Sequence, residues 1–86
     1  MNAQEDNSRT QLEKEIRSMV ARIVKLPEEK VGLEANLFTE LRVDSLLGVE
    51  IFASLDKKYG IEVPEEKLKN IKTVRDLVDL IQSIKK

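Results

Sequence analysis

Apolar residues recur every three or four positions as Leu12, Ile16, Met19, Val20, Ile23 and Val24, a spacing that predicts an amphipathic helix with one buried stripe. Thr10, followed at the third position by Glu13, has the pattern of a reciprocal cap, so the helix is expected to begin there and run to about Lys25. Pro27 stands just beyond, where it cannot prolong a helix. Residues 1–9 have no periodicity and are expected to be a disordered tail ahead of one domain over residues 10–86.

From Pro27 to Val43 the pattern lapses. Val31, Leu33, Leu37, Phe38, Leu41 and Val43 are too many for a free loop and follow no helical order, which predicts a long connection packed on the core. Asp44 and Ser45 then open a second periodic segment reaching Tyr59, with Gly60 as its stop signal. Pro64 suits a first helical turn, and the stretch from Glu65 to about Asn70 has room only for a short helix. Thr73 and Asp76 repeat the capping pattern before Val74, Leu77, Val78, Ile81 and Ile84, the stripe of a last helix. The expected fold is all-α, a small bundle of three main helices plus one short helix.

The second periodic segment has more apolar residues than one buried face needs. At about 100° per residue, Leu47, Gly48, Ile51, Phe52, Leu55 and Tyr59 gather on one broad side, and Leu46, Val49, Glu50 and Ala53 on the opposite one. That second face is either scattered surface, a helix buried on both sides, or a docking surface rimmed with acid. Ser45 stands at its foot. Serine and aspartate both serve as N-caps, but positions 47 and 48 hold Leu47 and Gly48, so neither Asp44 nor Ser45 has the acidic or amide partner of a capping box. A phosphodiester on Ser45 would also suit the place, because the free amides and dipole of a helix N-terminus favour negative charge.

Composition narrows the chemistry. The 86 residues contain neither cysteine nor histidine, which removes the strongest side-chain nucleophile and the commonest general base together. No disulfide or thiolate metal site exists, and any reactive thiol must be imported. With 3% aromatic residues and a net charge of -1, the chain has neither a base-stacking platform nor a phosphate-binding field, so nucleic acid is not an expected partner. The polar start and the lack of any apolar run near the roughly 20 residues of a membrane span predict a soluble, cytoplasmic protein without membrane insertion. Charge is uneven along the chain. Residues 44–66 hold six acids against Lys57 and Lys58, a net of -4, whereas residues 67–86 hold six bases against Asp76 and Asp79, a net of +4.

The run Asn36-Leu37-Phe38-Thr39-Glu40-Leu41-Arg42-Val43-Asp44-Ser45-Leu46 resembles the attachment site of acyl carrier and peptidyl carrier proteins. The Asp-Ser-Leu triplet alone is common. Its setting is more specific: an aliphatic helix and a long loop before it, Glu50 five residues after the serine, then Tyr59-Gly60-Ile61-Glu62-Val63-Pro64 and Ile71-Lys72-Thr73-Val74. The similarity extends from about Leu12 to Ile84. It implies a non-catalytic monomer in which Ser45 receives 4'-phosphopantetheine from coenzyme A through a phosphopantetheinyl transferase. Acyl groups would ride on the arm as thioesters and be presented to acyl-loading and acyl-transfer or condensing enzymes. Asp44, Leu46, Val49, Glu50, Ala53 and Asp56 are the docking residues so implied, an apolar contact with acids to steer a basic partner. Arg42 stands where the family usually has glycine, Leu47, Lys57 and Lys58 where fatty acid carriers are generally acidic, and the last two helices are unusually basic. These departures point to a specialised carrier for one biosynthetic pathway.

Three other functions fit parts of the sequence. A peptidyl or aminoacyl carrier would use the same serine. An unmodified helical adaptor would use the second face of the helix and leave Ser45 as a cap. An enzyme would need carboxylates such as Glu28 with Glu29, or Glu65 with Glu66, as acid and base, although adjacent carboxylates on a solvated segment are mostly plain solubilising charge.

Overall fold

The computed structural model describes residues 3–63, 65–68 and 70–85. Among these residues four α-helices follow one another: α1 (Ala3–Val24), α2 (Ser45–Tyr59), the single-turn α3 (Glu65–Leu68) and α4 (Val74–Lys85). Among the described residues there is no strand, only an antiparallel bridge between Asn36 and Thr73. The architecture is the all-α bundle of three main helices and one short helix that the periodicity predicts. Pro64, expected in the first turn of α3, lies outside the described residues.

α1 begins at Ala3, within the stretch expected to be a disordered tail. Thr10 therefore stands inside the helix and is not its cap. Glu13 turns to Arg9 instead, accepting from its Nε at 2.9 Å, while Arg9 Nη2 donates to Asp79 of α4 at 2.9 Å and a further bond reaches Gln82. Arg9 is thereby tied to α4 by partners some seventy residues on in the chain, which a local periodicity does not register.

At its other end α1 closes with Lys25 in the left-handed conformation, φ 62°, and the Leu26 amide donates to the Ala21 carbonyl at 3.0 Å. This is the bond of a Schellman ending, satisfying a carbonyl that the last turn would leave open.

The core lies between α1 and its two neighbours, α2 and α4. Ile16 and Val20 from α1, Ile51 and Leu55 from α2, and Val74, Leu77, Val78 and Ile81 from α4 are closed to solvent. At the margin the Tyr59 hydroxyl donates to Glu15 Oε1 at 2.9 Å, joining the end of α2 to the middle of α1. Burial, followed by this bond and the Glu15 charge, raises the Tyr59 pKa above that of an ordinary phenol.

The connection from α1 to α2 packs on the core as expected. Val31, Leu37, Leu41 and Val43 are buried, and Leu33 is half-buried against the same cluster. The connection also contains a 3-10 turn over Glu28–Lys30, too short to leave a period in the sequence. Arg17 of α1 holds it, donating from Nε to the Val31 carbonyl at 2.7 Å and from Nη2 to the Glu28 carbonyl at 3.0 Å.

α4 starts with the reciprocal cap that Thr73 and Asp76 predict. The Asp76 amide donates to Thr73 Oγ1 at 3.2 Å, and Asp76 Oδ2 accepts from the Thr73 and Lys72 amides at 3.0 and 2.8 Å. Burial alone would raise the Asp76 pKa; the two amides, the Thr73 hydroxyl and the Lys72 charge outweigh it and hold the carboxyl below its usual range.

Candidate functional site

Ser45 is reached through a loop whose own residues leave it little freedom. Asn36 organises the loop: its Oδ1 accepts from the amides of Phe38 at 2.9 Å and Thr39 at 3.0 Å, its carbonyl accepts from Glu40 and Leu41, and its amide donates to Glu40 Oε1 at 2.8 Å. The loop is pinned to the start of α4 by the Leu37 amide on the Lys72 carbonyl, 2.8 Å, and by the Val74 amide on the Ala35 carbonyl, 3.2 Å. Asparagine is a turn residue for this reason, a side-chain oxygen reaching amides two and three positions on, and that signal marks Asn36 although the hydrophobic pattern does not.

The last three residues before the serine each have a distinct part. Arg42 makes the turn with φ 59°, a left-handed conformation that costs a side-chain-bearing residue on the order of 1 kcal/mol. The position at which carriers usually have glycine therefore keeps, in this chain, the backbone shape that glycine suits. Val43 is buried, and its amide donates to the Leu37 carbonyl at 2.8 Å. Asp44 is the N-cap, extended at φ -101° and ψ -170°, with Oδ1 accepting the Leu47 amide at 2.9 Å and its carbonyl accepting the Gly48 amide at 2.8 Å.

The cap belongs to Asp44, so Ser45 is free of that duty. Ser45 is the first helical residue, is exposed, and makes no hydrogen bond to the described residues through its hydroxyl. The first turn of α2 contains no acid, and the one carboxylate at this positive end of the helix dipole is that of the cap, Asp44.

Along α2 the two faces separate by burial. Ile51 and Leu55 are closed to solvent, and Leu47, Phe52 and Tyr59 are half-buried against the core. Leu46 is 72% exposed and Val49 66%, values that rule out a helix buried on both sides. Glu50, Ala53 and Asp56 are exposed on the same outer surface, as is Asp44 at its start. Phe38 of the loop is 51% exposed, an aromatic that the sequence pattern would have placed inside. Next to the outer face lies an apolar groove of about 420 Å³, lined by Val49, Phe52, Ala53 and Val63 with Asp56 and Glu62 at its polar edge. The carboxylate pair Glu28 and Glu29 is exposed on the 3-10 turn. Of the second pair, Glu66 is exposed on α3.

No group of three or more carboxylates is arranged to hold a metal ion, and no helix is long and apolar enough to cross a membrane, among the described residues. An exposed, uncommitted hydroxyl at a helix N-terminus fits a tethered phosphodiester better than a bound ion or an enclosed substrate. The group carried is 4'-phosphopantetheine, since residues 14–81 match the family model described as phosphopantetheine attachment site. The chain is 35% identical over 75 residues to an acyl carrier protein of Coprothermobacter proteolyticus, covering 87% of this chain and 92% of that one. It is 32% identical to an acyl carrier protein of Thermosynechococcus vestitus, over 88% of this chain and 94% of the relative. A third acyl carrier protein, from Thermobifida fusca, is 38% identical over 81% of this chain and 94% of its own length. Helical order, an exposed serine behind a capping aspartate, and these similarities together place the chain in the acyl carrier protein family.

Proposed function

We propose that Ser45 carries the phosphopantetheine arm, attached from coenzyme A by a phosphopantetheinyl transferase, and that partner enzymes in the cytoplasm read the outer face of α2. One observation carries this reading: Ser45 is exposed and unengaged while its neighbour Asp44 performs the cap. Had Ser45 been the cap, its hydroxyl would be occupied and the adaptor reading would explain it fully. When attached, the arm supplies the thiol on which acyl groups are held as thioesters.

The chain's own residues bind and orient. Asp44 and buried Val43 fix the direction in which Ser45 leaves the fold, and since Asp44 takes the Leu47 and Gly48 amides, those of Ser45 and Leu46 are the first-turn amides left to favour a phosphate on Ser45. Deprotonation of the Ser45 hydroxyl falls to the transferase, because the chain has no histidine and no base bonded to that hydroxyl among the described residues. Leu46, Val49 and Ala53 offer an apolar contact small enough for repeated handover, and Asp44, Glu50 and Asp56 attract a basic partner from solution.

The test is intact mass before and after incubation with coenzyme A, magnesium and a broad-specificity phosphopantetheinyl transferase. The expected result is a gain of one phosphopantetheine in the wild type and none in Ser45→Ala, with melting temperatures nearly equal because no cap is lost. A gain that persists in Ser45→Ala would remove the assignment.

A further inference from the structure

We propose that the groove between α1 and the C-terminal half of α2 is a second docking surface, which receives an acidic segment of a partner enzyme; the proposal rests on the carrier reading above. The groove measures about 480 Å³ and is lined by Lys14, Glu15 and Arg22 from α1 and by Ser54, Lys57 and Lys58 from α2. Four cations thus meet one carboxylate. That carboxylate is engaged, since Glu15 accepts the Tyr59 hydroxyl at 2.9 Å, and Lys58 Nζ lies 5.9 Å from the centre of the same ring.

No acid stands at the positions from which it would pair with these cations along their own helices. Three and four residues from each, within the helix, stand Thr10, Gln11, Arg17 and Ser18 for Lys14, Ser18 and Met19 for Arg22, and Ala53, Ser54 and Leu55 for the two lysines. These are the positions from which an acid would pair along a helix. Among the described residues, Lys14, Arg22 and Lys57 form no ion pair. Helix dipoles favour Arg22, Lys57 and Lys58 in last turns, but they do not account for Lys14 or for the convergence of all four on one concavity. General basicity does not account for it either, because the whole chain has a net charge of -1.

The position of the groove selects the occupant. Lys57 follows Glu50 by two helical turns, about 10.5 Å along the same line of α2. A uniformly anionic surface such as a lipid bilayer would meet Glu50 and Asp56 as well and be repelled. A discrete acidic segment is not, and it complements the groove while a base on the same partner meets Glu50. Glu50 and Lys57, opposite in sign and two turns apart on α2, would also fix which way round the partner lies, with its active site toward Ser45.

The experiment titrates the full-length isotopically labelled protein with a hexaglutamate peptide at low salt and follows backbone amide shifts. Changes are expected to centre on Lys14, Ser18, Arg22, Ser54, Lys57 and Lys58 and to fade at high salt. The double variant Lys57→Gln, Lys58→Gln should weaken the peptide about tenfold, and Arg22→Gln should weaken it independently, so that misfolding of one variant does not decide the outcome. Lys72→Gln should leave it unchanged. Shifts spread over all lysines, shifts centred on residues 67–72, or equal affinity in every variant would overturn the proposal. Stronger binding to phosphatidylglycerol vesicles than to the peptide would overturn the choice of partner. All three Gln variants should still gain the arm at Ser45; failure of wild type and variants alike to gain it would sink the carrier reading while leaving the groove titration to stand.

Discussion

Arg42 shows how a single residue can hold a shape it does not favour. Its φ of 59° is easy for glycine, and the residues on either side, Leu41 and Val43, are anchored in the core. Arg42→Gly is therefore expected to stabilise the fold by roughly 0.5–1 kcal/mol, read as a higher denaturation midpoint with an unchanged slope. Asp44→Ala should do the opposite and cost about 1 kcal/mol, because the Leu47 amide loses its acceptor. Asp76 links stability to pH. Its folded pKa is depressed, so its contribution is fully present above the ordinary carboxylate value of 3.8 and is lost as pH falls through the lower folded value. In Asp76→Asn the acid limb of the stability curve should be shallower, and an unaltered limb would show that the cap contributes nothing through charge. These residues were unequally legible. Gly60, φ 62°, could be read as a helix stop because glycine is the usual residue there, whereas Arg42 and Lys25 adopt the same conformation with side chains that give no such signal.

At the scale of the element, α2 carries the division of labour. Ile51 and Leu55 face the core and Leu46 and Val49 face solvent, as the 100° spacing requires, so this part of the candidate site was legible from periodicity alone. Leu55→Ala should leave a cavity and cost about 2–5 kcal/mol, a large share of what so small a domain possesses. Leu46→Ala should leave the melting temperature almost unchanged, because the side chain is exposed, and on the docking role proposed for it should slow transfer with partner enzymes. A strongly destabilised Leu46→Ala protein would contradict the placement of this face. What the period could not supply is how elements begin. α1 starts at Ala3, ahead of the capping pattern at Thr10, and its Arg9 bonds Asp79 and Gln82, some seventy residues away in the chain, partners that no local pattern encodes.

For the whole molecule, the proposed function rests on a surface arranged around one hydroxyl. The core is small, the loop before Ser45 is tied to α4, and the charged faces lie on the outside, where salt screens them over about 10 Å at 0.1 M. Glu50→Lys should thus slow arm attachment mainly through association, with a deficit that shrinks as salt is raised and helicity that barely changes. An equal rate in low salt would leave recognition to the apolar residues. The most direct test of the central claim is the location of the arm. The chain has five serines, Ser8, Ser18, Ser45, Ser54 and Ser83, and trypsin releases Ser45 with Ser54 in the peptide from Val43 to Lys57. Fragmentation of that peptide from transferase-treated protein should place the whole modification on Ser45; modification on Ser54, or on a peptide containing any other serine, would contradict the account.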